Sequence, residues 1–334
     1  MTTMNSETNN MIGRRTLRSA ILAHNNDYGF DPRTPDWPAP TLRVSCVVPY
    51  YETGPLAIEC VHRLATAVAA YRAAIGPTAP QAQIVVVDDG STAHPFPADG
   101  APEMARVIRL PDNKGRAAAR NVGLQASSDF DVALFVDSDV LVHPDLVTGT
   151  CRLWRPPTST ADSARAPIVA SLMSTYRAGT EQFAPARAIA AASVAADWRF
   201  SCRFQPSWIA VPGDWMYVGH RFDLITATNY FRSWHGAVGP WLLPNMVLGG
   251  CFAVPVAAAL DAGGFDETFA RYGFTETSLV ARLIASGVPV IPQVTAAAVH
   301  VEHNPAHHDQ RDRDAHLALA HRRFFTEFLA HDLD

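Results

Sequence analysis

Apolar and polar residues alternate in a regular order along residues 42–145. Four short apolar runs, each followed by Pro or Asp, predict strands at 42–48, 83–87, 106–110 and 132–136. Two longer stretches with helical spacing of apolar residues predict helices at 56–75 and 115–126. Strands that alternate with helices and read as continuous apolar runs predict an α/β fold, with a mostly parallel sheet and helices on both faces.

The pattern is less regular after residue 145. Helices are predicted at 146–155 and 276–286, and strands at 168–173, 246–256, 288–291 and 296–301. Residues 180–245 contain five of the seven tryptophans and have no clear period. Such an aromatic-rich stretch lines a ligand cleft or forms a second small core, and the sequence leaves both interpretations open.

The two ends of the chain differ from its middle. Residues 1–40 are polar and end in DPRTPDWPAP, which predicts an irregular and partly disordered arm. The tail from residue 305 is rich in His and Arg, and an amphipathic helix is predicted at 316–329.

The composition favours a globular protein and gives no sign of a nucleic-acid-binding or membrane-spanning one. With 334 residues, 48% hydrophobic and 18% charged, the chain is typical of a globular protein. A net charge of −5 gives no reason to expect nucleic acid or an anionic membrane as a partner. The five cysteines lack C-x-x-C spacing and predict reduced thiols. Without an apolar run of membrane-spanning length, we expect no membrane span and a cytoplasmic location.

Two carboxylates, Asp137 and Asp139, directly follow the predicted strand at 132–136. Residues two positions apart share one face of a strand, and buried acids without a partner are costly. A divalent cation would offset that cost, and oxygen ligands suit Mg²⁺ or Mn²⁺. The other interpretation is that Asp139 caps a following helix while Asp137 is solvated.

Polar loops follow all four predicted strands of the first part. Their sequences are PYYE (49–52), DDGS (88–91), DNKGR (112–116) and DSD (137–139). Open α/β sheets bind ligands at the carboxyl ends of their strands. Four such loops in series therefore predict one ligand site at this edge.

The same loops carry a resemblance to family 2 glycosyltransferases of the GT-A fold, in the nucleotide-diphospho-sugar transferase superfamily. The motifs of its nucleotide-binding half are VSCVVPYYE (44–52), IVVVDDGST (84–92), NKGRAAARNVGL (113–124) and LFVDSDV (134–140). The stretch 246–303 resembles the acceptor-side part, through NMVLGGCFAVP (245–255), GGFDETF (263–269) and GFTETSLVARLIASG (273–287). The implied organisation is an arm at 1–40, a nucleotide-sugar-binding half at 41–145, an acceptor-binding and catalytic half at 146–304, and a helical tail at 305–334.

The resemblance implies that the loop of Pro49, Tyr51 and Glu52 meets the nucleobase and ribose, with the Tyr51 ring available for stacking. Family members often have Asn at the position of Glu52. Asp88 is implied to accept a hydrogen bond from a uracil-like base. Its alternative is an ordinary turn, since Asp and Gly favour turns.

Lys114 and Arg120 are implied to lie beside the nucleotide and its carboxylates. The alternative for such cations is a solvated helix face, and we favour that alternative for Arg116.

The resemblance also implies a metal site of Mn²⁺ or Mg²⁺ at Asp137-Ser138-Asp139, an Asp-X-Asp motif. Asp139 would ligate the metal, and Asp137 would bind ribose or metal-bound water. His300 is the candidate third ligand, because imidazole binds Mn²⁺, and His303 is the second candidate. Either histidine has the alternative of being an ordinary surface residue.

On the acceptor side, the family's catalytic base is the Asp of a Glu-Asp pair that opens a late helix. Thr275 and Glu276 occupy those two positions, so Glu276 is the candidate base. Its alternative is an acid that only stabilises the helix start. Gly249 and Gly250 resemble the segment that meets the donor sugar and acceptor, whereas we predict a helix C-cap at Gly263-Gly264.

These implications describe a metal-dependent, inverting glycosyltransferase that uses a nucleotide-diphospho-sugar, such as a UDP-sugar. Its acceptor would be a soluble peptide, small natural product or oligosaccharide. A non-catalytic nucleotide-sugar-binding protein is an alternative, because Thr275 departs from the acidic pair. A sugar nucleotidyltransferase is another, although PYYE stands where a Gly-rich basic phosphate loop is expected.

Overall fold

The structure is a computed structural model. It describes residues 15–33, 37–97, 99, 101–154, 166–177, 202–204, 209–210, 219–220, 242–269, 272–302 and 310–333. Most of the tryptophan-rich stretch 180–245 and the candidate ligand His303 lie outside these residues.

Ten strands and seven α-helices are found in the described residues. The strands are β1 (Val44–Tyr50), β2 (Ala82–Asp88), β3 (Ala105–Arg109), β4 (Val132–Val136), β5 (Val140–Val142), β6 (Ile168–Arg177), β7 (Ile209–Ala210), β8 (Gly219–His220), β9 (Cys251–Pro255) and β10 (Val290–Glu302). The helices are α1 (Leu17–Ala23), α2 (Pro55–Ile75), α3 (Arg116–Gln125), α4 (Leu146–Arg152), α5 (Val256–Asp261), α6 (Thr275–Ala285) and α7 (Gln310–Thr326). Short 3₁₀ helices occur at Leu243–Met246, Glu267–Phe269 and Phe328–Ala330.

Eight strands form one sheet in the order β3-β2-β1-β4-β9-β6-β10-β5. The pairs β3–β2, β2–β1, β1–β4 and β6–β10 are parallel, and the other three pairs are antiparallel. The chain builds outward from β1 to β3 and then returns to place β4 on the other side of β1. This reversal puts a topological switch point between β1 and β4, where open α/β sheets bind their ligands.

Helices cover both faces of this sheet, as predicted. In β1, Val47 lies in the core built with α1, α3 and α6, whereas Cys46 and Val48 lie in the core built with α2 and α4. The alternation follows from the two-residue period of a strand. The α/β fold class is confirmed.

The prediction of an irregular arm over residues 1–40 is wrong at α1. Thr16 caps this helix, since its Oγ1 accepts from Ser19 N at 3.2 Å while Ser19 Oγ accepts from Thr16 N at 2.9 Å. Leu17 and Ile21 are buried in the main core. A seven-residue helix is marginal in isolation, so tertiary packing and this capping box account for it.

The late strands and the tail helix also differ from the predictions. The two late strands are one strand, β10, with an irregular register between Gln293 and Ala298. The tail helix begins earlier than predicted, at Gln310, and its end packs into the main core through Phe324 and Phe325. The irregularity in β10 interrupts the apolar run, which explains why the sequence reads as two strands.

The predicted C-cap at Gly263-Gly264 is confirmed. Gly263 N donates to Leu260 O and Gly264 N to Ala259 O, both at 2.9 Å, which is the Schellman pattern after α5. Gly263 has φ +81° and Gly264 φ +70°, conformations that glycine adopts without steric cost.

In the part of the chain that the structure describes, no helix has the length and apolar character needed to cross a membrane.

Candidate functional site

Glu52 ties the loop after β1 to the loop after β2. Its carboxylate accepts from the backbone N–H groups of Thr92, Ala93 and His94 at 2.6, 2.9 and 2.5 Å. Desolvation raises the pKa of Glu52, but the three hydrogen bonds outweigh it and the net pKa is lowered. Glu52 itself has φ +52°, so its backbone conformation is held by these contacts.

Asp88 is fully buried beneath the same loop. Oδ1 accepts from Ser91 N at 2.9 Å, and Oδ2 accepts from Phe96 N at 3.0 Å. Arg109 Nε lies 3.2 Å from Oδ2. The carboxylate therefore shapes the loop, and its contact with a base stays a prediction. Tyr51, by contrast, is 48% exposed and available for stacking.

Asp89 fixes the start of α3. Its two carboxylate oxygens accept from Lys114 N and Gly115 N, each at 2.8 Å. Burial raises the pKa of Asp89, and these two hydrogen bonds oppose that effect. A Cβ at Gly90 would lie 2.4 Å from the backbone carbon of Asp112, so only glycine permits this close approach.

Arg120, in α3, is the centre of the site. Its Nη2 donates to Asp137 Oδ1 at 2.9 Å and to Gly249 O at 2.7 Å, and Nη1 donates to Glu276 Oε2 at 3.4 Å. The side chain has no exposed surface. We call Arg120, Asp137 and Glu276 the arginine–carboxylate cluster. It joins α3 and the end of β4 to the first turn of α6, and Arg120 and Glu276 are 156 residues apart in sequence.

Aromatic rings enclose the guanidinium of Arg120. Its Cζ lies 5.9 Å from the ring centre of Phe252 and 5.6 Å from that of Phe265. Both rings are buried. Ring faces attract cations, and a buried charge requires such partners in addition to its carboxylates.

Glycines bring the backbone close to this cluster. A Cβ at Gly249 would lie 2.7 Å from Glu276 Oε2, and a Cβ at Gly250 would lie 2.6 Å from Met173 Sδ. Gly250 O also accepts from Asp137 N at 2.9 Å. The segment that resembles the family's sugar-contacting stretch thus lies against the acids in the structure.

The loop before Glu276 is supported by α7. Phe274, which precedes α6, has φ +61°, an unfavourable conformation for a bulky residue. Its ring lies 4.9 Å from that of Phe324 and 5.6 Å from that of His321, measured between ring centres. Thr275 is buried and donates to Phe269 O at 3.2 Å. Thr275 therefore holds the loop while Glu276 meets Arg120.

Asp139 and His300 form a second polar pair. His300 Nε2 lies 3.3 Å from Asp139 Oδ2, and the two side chains are 35% and 21% exposed. Ser138, between the two acids, shares a 2.7 Å hydrogen bond with Thr53 Oγ1. A carboxylate oxygen and an imidazole nitrogen are both ligands that Mn²⁺ accepts, so this pair fits a divalent cation.

Asp137 does not join that pair. It faces Arg120 and lies 3.9 Å from Arg116 Nη1 through its other oxygen. Among the described residues, no three His, Cys, Asp or Glu side chains form a group able to hold a metal ion. The structure thus brings together two of the three predicted ligands, Asp139 and His300.

The fold and site define an α/β protein with a polar cluster at the switch point of its sheet. Residues 45–168 match the family model described as glycosyl transferase family 2. This segment runs from β1 into the start of β6 and carries all four motifs of the nucleotide-binding half. The match confirms the resemblance to this family over residues 45–168.

Three solved structures show partial similarity to this chain. The first is the mannosyltransferase PcManGT from Pyrobaculum calidifontis in complex with GDP-Man and Mn²⁺, with 15% identity, a TM-score of 0.49, and coverage of 86% of this chain and 64% of that chain. The second is GalNAc-T7 with UDP, GalNAc and Mn²⁺, with 15% identity, a TM-score of 0.46, and coverage of 79% and 44%. The third is S. aureus TarS 1–349, with 15% identity, a TM-score of 0.44, and coverage of 85% and 72%.

The chain spans less than two thirds of the length of the first two of these structures. No curated protein matches its sequence.

Sequence reasoning overlooked the position of Arg116. A solvated helix face is the favoured prediction for this residue, yet its guanidinium faces Asp137. The signal was its place at the start of α3, four residues before Arg120, because residues four apart lie on one side of a helix.

Proposed function

We propose that the protein is a metal-dependent, inverting glycosyltransferase that moves a sugar from a nucleoside diphospho-sugar, such as a UDP-sugar, to a soluble acceptor. The observation that carries the proposal is the contact of Arg120 with both Asp137 and Glu276. Asp137 belongs to the donor-side motif and Glu276 to the acceptor-side motif. Their meeting at one guanidinium supports a single site in which both substrates are held.

In the proposed reaction Glu276 acts as the base. Its carboxylate accepts the proton of the acceptor hydroxyl, whose oxygen forms a bond to the anomeric carbon. The bond from that carbon to the diphosphate breaks, and its electron pair leaves on the diphosphate. Because attack and departure occur on opposite faces of the carbon, the configuration inverts. Arg120 holds Glu276 in position for this proton transfer.

The residues on the donor side would bind and orient the nucleotide sugar. Tyr51 offers an exposed ring to the base, and the Glu52 and Asp88 contacts keep its loop in place. Asp139 and His300 would hold Mn²⁺ or Mg²⁺. When bound, such an ion would neutralise the negative charge that develops on the departing diphosphate.

The test is a panel of UDP- and GDP-sugars, with and without Mn²⁺, followed by thermal unfolding and by release of nucleoside diphosphate. The true donor is expected to stabilise the protein by about 2.7 kcal/mol at a hundredfold excess over Kd. Binding without transfer or hydrolysis would support a non-catalytic binding protein. Pyrophosphate release from a nucleoside triphosphate and a sugar phosphate would instead support a nucleotidyltransferase. Failure of every nucleotide sugar to bind would refute the proposal.

Asp139→Ala adds a metal-specific arm to that experiment. We expect the Mn²⁺-dependent gain in nucleotide affinity to fall about 100-fold, the upper end of losses seen even for residues outside the ligand shell. Asp145→Ala is the matched control, since this neighbouring acid is 71% exposed and pairs with His143 at 3.7 Å. An unchanged Mn²⁺ response of Asp139→Ala in calorimetry would contradict the assignment.

Gly249→Ala is expected to impair transfer without unfolding the protein. The added Cβ would lie 2.7 Å from the Glu276 carboxylate, which is the movable end of a side chain. A displacement of about 1 Å at a catalytic group costs up to ~100-fold in rate. Steady-state kinetics and denaturant unfolding measured together check this. Arg72→Gln, which changes an exposed side chain on α2, is the control. Equal transfer rates for Gly249→Ala and the unaltered protein would show that Glu276 tolerates displacement.

A further inference from the structure

Arg116 faces the arginine–carboxylate cluster from the first residue of α3. Its Nη1 lies 3.9 Å from Asp137 Oδ2, whereas Arg120 binds the other oxygen of the same carboxylate. The negative charge of Asp137 raises the pKa of Arg116 most strongly, partial burial lowers it, and Glu276 and Asp139 raise it further. Arg116 is therefore a charged group in the field of all three acids.

The two arginines differ in access. The side chain of Arg120 has no exposed surface, and its Nη1 and Nη2 donate to protein acceptors. The side chain of Arg116 is 47% exposed. Lys114 is also exposed, but its Nζ lies 3.6 Å from Asp112 Oδ2 in the neighbouring loop. An incoming anion thus meets Arg116 without displacing a buried contact.

The charge balance of the site favours such a contact. Arg120 is shared between Asp137 and Glu276, and a diphosphate brings further negative charge to this group. A guanidinium binds phosphate oxygens through two parallel N–H donors. No acid lies in the first turn of α3, so the helix dipole also favours an anion beside Arg116.

We propose that Arg116 binds the diphosphate of the sugar donor and stabilises the nucleoside diphosphate as it leaves. This inference rests on the proposed function and assigns a further residue to it. On donor binding, the guanidinium exchanges its 3.9 Å approach to Asp137 for the phosphate oxygens. During transfer, the electron pair of the breaking carbon–oxygen bond moves onto the diphosphate, and the Arg116 N–H donors meet that charge.

The test compares Arg116→Gln, Arg116→Lys and the control Arg72→Gln, which changes an exposed arginine on α2. Calorimetry in EDTA measures the affinities for UDP, GDP, uridine and guanosine. The ratio of the two affinities for each base shows how much the diphosphate group tightens binding. One charge-assisted hydrogen bond contributes about 1.5 kcal/mol or more, so Arg116→Gln is expected to reduce this improvement about tenfold. Arg116→Lys should lose less of this gain in affinity, and Arg72→Gln should lose none of it.

The outcomes separate this inference from the proposed function. If Arg116→Gln weakens nucleoside and diphosphate binding equally, Arg116 only maintains the fold and the inference fails. If it binds both as the unaltered protein does, the inference also fails while the proposed function stands. If the unaltered protein binds neither UDP nor GDP even when Mn²⁺ replaces EDTA, both are overturned. Denaturant unfolding of each variant identifies any loss that comes from misfolding.

Discussion

Replacing Glu276 with Gln is expected to lower the rate of sugar transfer about a thousandfold. Gln keeps the size of the side chain and an oxygen that accepts from Arg120, but it cannot take a proton. General-base catalysis contributes about 10²- to 10⁴-fold, which sets the size of this loss. The measurement is kcat for transfer from the donor identified in the nucleotide-sugar panel.

Nucleotide binding serves as the internal reference for this variant. Glu276 lies on the acceptor side, so the affinity of Glu276→Gln for UDP or GDP should change little. Glu59→Gln is the matched control, because Glu59 is a partly exposed acid on α2 that pairs with Arg63 of the same helix. Retention of full transfer activity by Glu276→Gln would exclude Glu276 as the base and leave it as a helix-terminal acid.

Replacing Arg120 with Met is expected to destabilise the protein by about 3 kcal/mol and to abolish transfer. The substitution leaves Asp137 and Glu276 beside one another without their shared cation. Breaking a buried ion pair by removing one partner costs about 3–5 kcal/mol, and the lower end applies because both acids are partly exposed. Denaturant unfolding measures the free-energy change.

A double-mutant cycle shows whether the loss comes from the unpaired acid. Arg120→Met with Asp137→Asn removes one of the two orphaned charges, so the double variant should be more stable than the sum of the single changes predicts. Arg120→Lys is expected to recover little, because an ammonium cannot match the planar fork that reaches Asp137, Gly249 and Glu276 together. Additive free energies across the cycle would show that the two side chains do not interact.

The sequence predicts the central sheet well because its signals are local. The strand at 132–136 is an apolar run of strand length followed at once by Asp137, and the structure places β4 over the same residues. The polar loops after β1, β2 and β4 lie together because parallel strands end at one edge. The contact between Arg120 and Glu276 follows from the fold as a whole, and neither the local pattern nor the family resemblance predicts it.

The local sequence pattern does not predict the direction in which individual side chains of the site point. Nothing in the local pattern indicates that Glu52 turns back to bind three backbone N–H groups, or that Asp89 caps α3 from another loop. Nor does the spacing of apolar residues distinguish Arg116 from a solvated cation, since its partner Asp137 lies across the sheet edge. Helix α1 was missed for a similar reason, because its stability comes from residues far along the chain.

The distance in sequence between Arg120 and Glu276 has a consequence for synthesis of the chain. At about 5–20 residues per second, the 156 residues between them take roughly 8 to 31 s to emerge. For most of this time β4 lacks its antiparallel neighbour β9, which ends at Pro255, and Arg120 lacks its second acid until Glu276 has been made. An unpaired strand edge of this kind pairs readily with other chains. The nascent protein is thus expected to expose this edge of β4 until β9 has been made.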